Sequence, residues 1–442
     1  MIVAGGTLFV KVIAVVKELV VAWKFGTADE LDAFLIAFII PSVVVNIVAA
    51  SFNAALIPTY IKVCEQEGQA AAQRLFSGAT IWSMGLLLVT TFVLTTGAQV
   101  YLPYLTSGFT PQKLALTHQL LWVISPMIVI SGVNTVWGSI LNAGERFALV
   151  ALAPILTPAM TIILLFSTNW GIFNLAVGVV LGQLVEMIVV GKALQQQGIS
   201  LMPNWHGFDD NLKQVAGQYA PMMAGAFLMC SSSLVDRSMA AMLPAGSVAA
   251  LGYGEKIITL PIVIATTALS TAVIPYFSQM VARDDWPGIR RSLKSYMGLI
   301  FAFSVPLAGL IALGSEEIVR LLLQRGSFTP ENTHLVAQIQ ACFALQIPFY
   351  IAGVFTVRLH SAMRNNKIMM WGSGVNLIIN ISLNYLFMQQ LGIVGIALST
   401  SCVYICSLAF LLFFLLRNLK AAEQLDLITK SSTAAASTQE LL

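Results

Sequence analysis

The chain has 442 residues, of which 57% are hydrophobic and 10% are charged, with a formal net charge of +3 and a mean hydropathy of +0.83. Soluble domains carry about 25% charged residues, and a soluble fold of this size could not bury so much apolar surface. The small net charge gives no reason to expect a nucleic-acid partner. The composition therefore predicts an all-α, polytopic membrane protein.

Apolar runs of 18 or more residues predict transmembrane helices. About twelve spans follow one another along the chain, at roughly 2–22, 32–60, 76–102, 116–141, 147–167, 171–191, 214–242, 246–280, 293–313, 333–361, 368–388 and 392–416. Several of the longer spans contain proline, so these helices should bend or extend past the bilayer. The polar end, 417–442, is predicted to be a disordered cytoplasmic tail.

The distribution of lysine and arginine between the loops predicts the orientation. With both termini inside, the inner loops hold Lys62, Arg74, Arg146, Lys192, Lys213, Arg283, Arg290, Arg291, Lys294, Arg364, Lys367, Arg417, Lys420 and Lys430. The outer loops hold only Lys24, Lys113, Arg320 and Arg325. This asymmetry predicts an even number of spans with both termini in the cytoplasm.

The tripeptide Phe-Thr-Pro occurs twice, at 109–111 and at 328–330, an offset of 219 residues. A threonine before proline is held out of the helical region, and proline can open a helix. Each copy should therefore begin a span, the fourth and the tenth. A further match, DAFLIAFIIP (32–41) with GYGEKIITLP (252–261), keeps nearly the same offset. Together these matches predict an internal duplication.

The duplication predicts two six-helix lobes, at 1–200 and 210–416, followed by the tail at 417–442. An even number of spans in each half gives both halves the same orientation, so the lobes would be related by a pseudo-two-fold axis along the membrane normal. Two such lobes with a site between them are typical of alternating-access transporters. The alternative is a duplicated scaffold that transports nothing.

Ionisable side chains inside membrane helices are costly and are commonly functional. They concentrate in the first two spans of each half, as Lys11, Lys17, Glu18, Asp32, Asp236, Arg237, Glu255 and Lys256. Lys11 and Glu18 are seven residues apart and share a helical face, and Asn46 and Asn53 repeat that spacing. Because a polar stripe must face protein or water, these residues are expected to line a hydrated central cavity.

A less specific interpretation applies to each charge taken alone. The neighbouring pairs Asp236-Arg237 and Glu255-Lys256 could lie at helix ends, where their long side chains would reach the membrane interface. Glu186 and Arg358 fall outside the symmetric pattern and are interpreted as packing or interface residues.

The predicted cavity is rich in cations, which suggests an anionic substrate. Lys11, Lys17, Arg237 and Lys256 could hold a diphosphate by charge-assisted hydrogen bonds. The acids Glu18, Asp32, Asp236 and Glu255 could balance these charges or carry a coupling cation, and both roles stay open.

No enzyme motif accompanies these charges. The sequence contains no P-loop, GxSxG or HExxH pattern, and its five cysteines and four histidines are scattered. We therefore expect no catalytic site, cofactor or metal centre. Transport would be driven by an ion gradient or by the membrane potential.

The segment KELVVAWKFGTADELDAFLIAFIIPSVVVNIVAASFNAALIP (17–58) resembles the MurJ/MviN family of lipid II flippases, within the multidrug/oligosaccharidyl-lipid/polysaccharide exporter superfamily. The shared features are a basic–acidic pair, FG, DAF, AF and a proline, found here at Lys17-Glu18, Phe25-Gly26, Asp32-Ala33-Phe34, Ala37-Phe38 and Pro41. Further likeness lies at 246–261, at 321–333 and in the stretch through Arg364, and it extends over about 1–415.

The resemblance implies a flippase of the bacterial cytoplasmic (inner) membrane that moves an undecaprenyl-diphosphate-linked glycan outward for peptidoglycan synthesis. The cavity cations of the family fall on Lys11, Lys17 and Lys256, and its cavity acid falls on Asp32. Glu255 matches an acidic position beside the third cation.

Three departures widen the range of substrates to consider. The family usually has arginine where this chain has lysine, and lysine does not bind phosphate bidentately. The family's Arg and Glu-Gly before its second AF are replaced here by Asn46 and Ala50-Ser51. The family also usually has more helices than are counted here. A related lipid-linked sugar is therefore a possible cargo, and the alternative function is a cation-coupled small-molecule or drug antiporter of the same superfamily.

Overall fold

The computed structural model describes residues 2–144, 146–199, 201, 205, 207, 209–363 and 365–440. Helices occupy most of these residues, and the described part of the chain contains no strand. The chain divides into two compact units. The first comprises Met1–Ala249 and Leu322–Asn332, and the second comprises Ala250–Leu321 and Thr333–Leu442.

Nine helices lie wholly within the described part of the first unit: α1 (Ile2–Phe25), α2 (Asp29–Glu67), α3 (Gln69–Leu105), α4 (Pro111–Ile124), α5 (Pro126–Ala143), α6 (Phe147–Leu152), α7 (Leu156–Ser167), α8 (Phe173–Gln196) and α9 (Asp210–Ala240). A single 3-10 turn, Ala153–Ile155, joins α6 to α7. The next helix, α10 (Ser247–Ala282), begins in this unit and continues in the second.

Helix α2 is central to the first unit, because it packs against α3, α4, α5 and α9. Phe52 of α2 is fully buried, and its ring lies 5.5 Å from that of Trp82 and 5.8 Å from that of Tyr219, measured between centroids. The Tyr219 hydroxyl donates a hydrogen bond of 3.2 Å to the carbonyl of Val48. This cluster packs two buried rings, Phe52 and Tyr219, against the partly buried Trp82 and satisfies the polar end of the tyrosine.

The remaining helices are α11 (Trp286–Leu313), α12 (Ser315–Leu323), α13 (Pro330–Ala344), α14 (Ile347–Ala362), α15 (Asn366–Leu391) and α16 (Ile393–Glu440). In the second unit α16 packs against α11, α14 and α15. The aromatic cluster of the second unit consists of Phe277, Tyr296 and Phe355, whose ring centroids are 5.7 to 6.0 Å apart. Each unit therefore has its own largely buried aromatic cluster.

Both Phe-Thr-Pro copies begin a helix, as predicted. α4 starts at the proline of the first copy, and the amide of Lys113 donates to Oγ1 of Thr110 at 3.3 Å. α13 starts at the proline of the second copy, where the amide of Asn332 donates to Oγ1 of Thr329, also at 3.3 Å. In each case threonine is the N-cap and proline is the first helical residue, where its missing N–H is not needed.

The predicted all-α, multi-pass membrane fold is confirmed. Among the described residues, eight helical segments are long and apolar enough to cross a membrane, and a ninth arises if α13 and α14, which are bent by 40°, form one span. The count of twelve spans and the division into lobes at 1–200 and 210–416 remain predictions.

Two features of the helices differ from expectation. The tail was predicted to be disordered, but α16 continues without a break to Glu440. The prediction was wrong because nine of the twelve residues at 417–428 are leucine, alanine, arginine, lysine, glutamine or glutamate, which favour helix even when the segment is polar overall. The nine-residue helix α12 was not predicted at all, since it is too short and too charged to give a span signal.

Candidate functional site

Two of the predicted cations lie on α1. Nζ of Lys17 is 2.5 Å from Oε1 of Glu18, and the two side chains are only 25% and 20% exposed. Lys11 is more exposed. Lys17 is therefore the cation whose field is screened less by water, and its neighbouring acid balances part of its charge.

Asp32 lies in the first turn of α2 and is 1% exposed. Its Oδ2 accepts a hydrogen bond of 2.7 Å from the amide of Gly246, and its Oδ1 accepts one of 2.8 Å from the amide of Ala249. Those amides lie at the start of α10, where backbone N–H groups lack helical partners and carry partial positive charge. The carboxylate of Asp32 thus caps α10 from another helix.

Lys113 completes this arrangement. Its side chain is 8% exposed, and Nζ lies 3.0 Å from Oδ2 of Asp32 and 2.5 Å from Oδ1 of Asp29. The same ammonium is 4.2 Å from the centre of the Phe109 ring, within the range of a cation–π contact. We call Asp32, Lys113 and the amides of Gly246 and Ala249 the Asp32 clamp.

Sequence reasoning missed Lys113, which it assigned to an outer loop. The lysine occupies the first turn of α4, where the helix dipole disfavours a cation, so a nearby acid could have been inferred. The first turn of α2 offers three candidates, Asp29, Glu30 and Asp32. Only the packing of α2 against α4 identifies two of them as partners.

The FG motif marks the turn between α1 and α2. Gly26 has a φ of +55°, a left-handed conformation that ends α1. The loop after α12 crosses this turn, where the amide of Ser327 donates to the carbonyl of Trp23 at 2.9 Å. Oγ1 of Thr27 donates to Oδ1 of Asn332, in the first turn of α13, at 2.8 Å. Contact with the Ser327 backbone leaves no room for a side chain at Gly26.

The polar residues further along α2 are only partly defined. Asn46 is exposed, and its Nδ2 donates to the carbonyl of Ser42, one turn earlier, at 3.0 Å. The side chain of Asn53 lies outside the described residues, as does Arg364. Any shared face of Asn46 and Asn53 therefore remains a prediction.

The other predicted site residues lie on α9 and α10. Asp236 and Arg237 are partly buried in the last turns of α9, in the first unit. Glu255 is exposed and Lys256 is partly buried on α10, in the second unit, where Oγ1 of Thr259 donates to the Glu255 carbonyl at 2.9 Å. The structure thus joins Lys17 to Glu18 and joins Asp32 to the clamp, and the assembly of the full set into one cavity stays a prediction.

Comparison with known proteins adds a family assignment to this geometry. A family model described as "Lipid II flippase MurJ" matches residues 21–439. A Synechocystis protein described as a probable lipid II flippase MurJ is 25% identical over 434 residues, which cover 95% of this chain and 81% of the relative.

Two solved structures share the fold. A lipid II flippase MurJ in an inward closed conformation matches with a TM-score of 0.82 and 21% identity, covering 96% of this chain and 90% of that one. An inward-facing multidrug resistance MATE family transporter of the MOP superfamily matches with a TM-score of 0.78 and 15% identity, covering 95% and 99%.

Proposed function

The chain belongs to the lipid II flippase MurJ family, and on that basis we propose that it moves a lipid-linked diphosphate glycan, lipid II or a close relative, from the inner to the outer leaflet by alternating access. The observation that carries the proposal is the family match over residues 21–439. The family consists of transporters, and the chain's multi-pass helical fold agrees with a place in the bacterial inner membrane. We propose that both termini face the cytoplasm.

In this proposal, the diphosphate is held by ammonium and guanidinium groups. Lys11, Lys17, Arg237 and Lys256 would form charge-assisted hydrogen bonds to its oxygens. Lysine is a compact charge on a flexible stem, so it does not fix a phosphate in one bidentate geometry. Such ligands can follow a headgroup that must change position during transport.

The acids and amides of the set have supporting roles in this proposal. Glu18 and Asp236 would balance the cations while no substrate is bound, and Asn46 and Asn53 would keep the surroundings polar. The polyprenyl tail would stay in the lipid throughout, because removing it from hydrocarbon costs about 0.8 kcal/mol for each methylene.

Asp32 would act as a positioning residue. Both of its carboxylate oxygens already accept hydrogen bonds from the first turn of α10. That helix also carries Glu255 and Lys256. Asp32 would therefore serve the site by fixing the start of the helix from which these two side chains project.

The proposal is tested by reconstituting the purified protein in vesicles that contain a fluorescent lipid II analogue, and by measuring the fraction of the analogue that crosses the bilayer. A hydrogen bond to a charged group contributes about 1.5–3 kcal/mol, so Lys17→Ala and Lys256→Ala should each lower transport by roughly tenfold or more. Lys213→Ala is the matched control, since that side chain is 63% exposed and its ion pair is with Asp210, whose side chain is 97% exposed.

Unaltered transport by both Lys17→Ala and Lys256→Ala, at normal protein abundance, would remove the proposed role of the cations. Wild-type protein that moves small organic cations under an ion gradient, but leaves the lipid analogue in its leaflet, would establish the antiporter alternative instead. Depletion of the protein from its bacterium, followed by mass spectrometry of the accumulated undecaprenyl-linked lipids, identifies the glycan.

A further inference from the structure

The first unit contains a polar cavity of about 550 Å³ that the predicted substrate site does not include. It lies between α5, α8 and the segment that runs from α6 through the 3-10 turn into α7. Its walls consist of Ser131, Asn134, Thr135, Gly138, Ser139, Asn142, Val150, Pro154, Thr157, Pro158, Gln183 and Glu186. Eight of these twelve residues are polar or charged, which is unusual between helices of a membrane protein and requires a reason.

The hydrogen bonds of α5 leave this cavity rich in acceptors. The hydroxyl groups of Thr135 and Ser139 donate to carbonyls one turn earlier on α5, at 2.8 and 2.6 Å, and Ser131 donates to Oε1 of Gln183. Nδ2 of Asn134 donates to the Gln183 carbonyl at 3.2 Å. These donors are already used, while Oδ1 of Asn134 is buried without a hydrogen-bond partner in the described part of the chain.

Glu186 gives the cavity its charge. It lies on α8, which is long and apolar enough to cross the membrane, and its side chain is partly buried next to the Thr157 hydroxyl. None of the twelve residues that line the cavity is basic. The wall therefore combines one carboxylate with neutral polar groups, several of which offer oxygen atoms.

The opposite wall is a broken helix. Pro154 and Pro158 have no amide hydrogen, so neither can make the helical hydrogen bond to the carbonyl four residues earlier. Those carbonyls belong to Val150 and Pro154, which both line the cavity. Irregular backbone at membrane depth is tolerated where it is buried in protein or lines a hydrated cavity, and the carbonyls of interrupted helices are common ligands for small cations in transporters.

We propose that this cavity binds one small monovalent cation, sodium or potassium, with part of its hydration shell. The ligands would be the Glu186 carboxylate, Oδ1 of Asn134, the Thr157 hydroxyl and the carbonyls freed by the two prolines. All of them are hard oxygen donors, which suit cations of this class rather than softer metals. Calcium sites usually supply several carboxylates, and this cavity has one.

Other ligands fit this cavity less well. A diphosphate would be repelled by Glu186, and an organic cation would lack aromatic walls, because none of the lining residues is aromatic. The volume exceeds that of a bare ion, so water fills the remaining space and bridges to the more distant oxygens. The inference does not depend on which lipid the protein carries, because it concerns a separate site within one unit.

The test compares thermal unfolding of the full-length protein in detergent in sodium, potassium and choline chloride at equal ionic strength. We expect a saturable rise in the unfolding temperature with sodium or potassium and none with choline, since a ligand that binds only the folded state stabilises it. Glu186→Gln should weaken the apparent affinity by about tenfold or more, and Thr157→Val by several-fold. Glu65→Gln, which removes an exposed acid from the same unit, should leave the affinity unchanged.

Equilibrium dialysis with radioactive sodium, or with rubidium in place of potassium, should give about one ion per chain in the wild type. If Glu186→Gln does not yield folded protein, Thr157→Val decides the question. The proposal is overturned if alkali ions and choline act alike on the wild type. It is also overturned if ion binding keeps its affinity in every folded variant of the cavity, since the ion would then bind elsewhere.

Discussion

Replacing Lys113 by methionine tests whether the Asp32 clamp holds the first unit together. Methionine keeps the length and much of the apolar surface of lysine but removes the charge. Asp32 would then remain 1% exposed, with its two backbone hydrogen bonds but without its counter-charge 3.0 Å away. Removing one partner of a buried ion pair costs about 3–5 kcal/mol, so we expect a loss of that size in the free energy of unfolding.

Asp29 supplies the internal control. Its side chain is 55% exposed although it lies closer to Lys113 than Asp32 does, at 2.5 Å. Exposed ion pairs contribute about 0–1 kcal/mol, so Asp29→Asn should change the free energy of unfolding by less than about 1 kcal/mol. Comparing the two substitutions therefore shows whether the burial of an ion pair, rather than the distance between its charges, determines the loss in the free energy of unfolding.

The measurement is an SDS titration of the purified protein in detergent micelles, followed by tryptophan fluorescence. A loss below about 1 kcal/mol for Lys113→Met would show that the clamp is not a buried ion pair of the kind described. Equal losses for Lys113→Met and Asp29→Asn would also contradict the reasoning, because the exposed pair would then contribute as much as the buried one.

Substitutions at three further positions test local features by the same titration. Thr110→Ala removes the side-chain oxygen that caps α4 and should cost about 1 kcal/mol, whereas Thr110→Ser should cost little. Phe52→Ala leaves a hole in the buried aromatic cluster and should cost about 3–5 kcal/mol, and a value near zero would contradict that packing. Gly26→Ala places a Cβ at positive φ against the backbone of Ser327, so it should cost at least about 1–2 kcal/mol, and an unchanged stability would contradict the left-handed turn.

The features that the sequence predicted correctly depend on neighbours in the chain. Apolar runs specify membrane helices because each span must satisfy its own backbone hydrogen bonds in lipid. The Phe-Thr-Pro copies specify helix starts because the cap involves only residues up to three positions later. Neither inference requires knowledge of which helices are in contact.

The Asp32 clamp could not be predicted in the same way. Asp32 and Lys113 are 81 residues apart, and the amide of Ala249 is 217 residues from Asp32. The sequence showed that an acid near the start of α2 was unusual, and the family resemblance suggested a cavity role for it. Only the packing of three helix starts reveals that the carboxylate is surrounded by protein groups.

The polar cavity illustrates a different limit. From the sequence alone, Glu186 is interpreted as a packing or interface residue, because it falls outside the symmetric pattern of charges. The oxygens that surround it come from a broken helix and from α5, and the prolines that free the carbonyls were not connected with the acid. A site made of neutral oxygens and one carboxylate has no spacing motif, so it becomes visible only when the helices are packed.

The clamp also changes how the charges of the first unit should be interpreted. Asp32 is balanced by Lys113, so it is less able to neutralise the proposed substrate ligands than the sequence pattern suggested. Lys17 keeps its own acid at 2.5 Å, and that pairing lowers the free-energy cost of holding an ammonium group inside the membrane protein. In the proposed function, a diphosphate, which carries more charge than one carboxylate, would displace Glu18 from Lys17, and Glu18 would compete for the lysine again when the substrate leaves. Such competition would moderate the affinity, which a transporter needs because it must release what it binds.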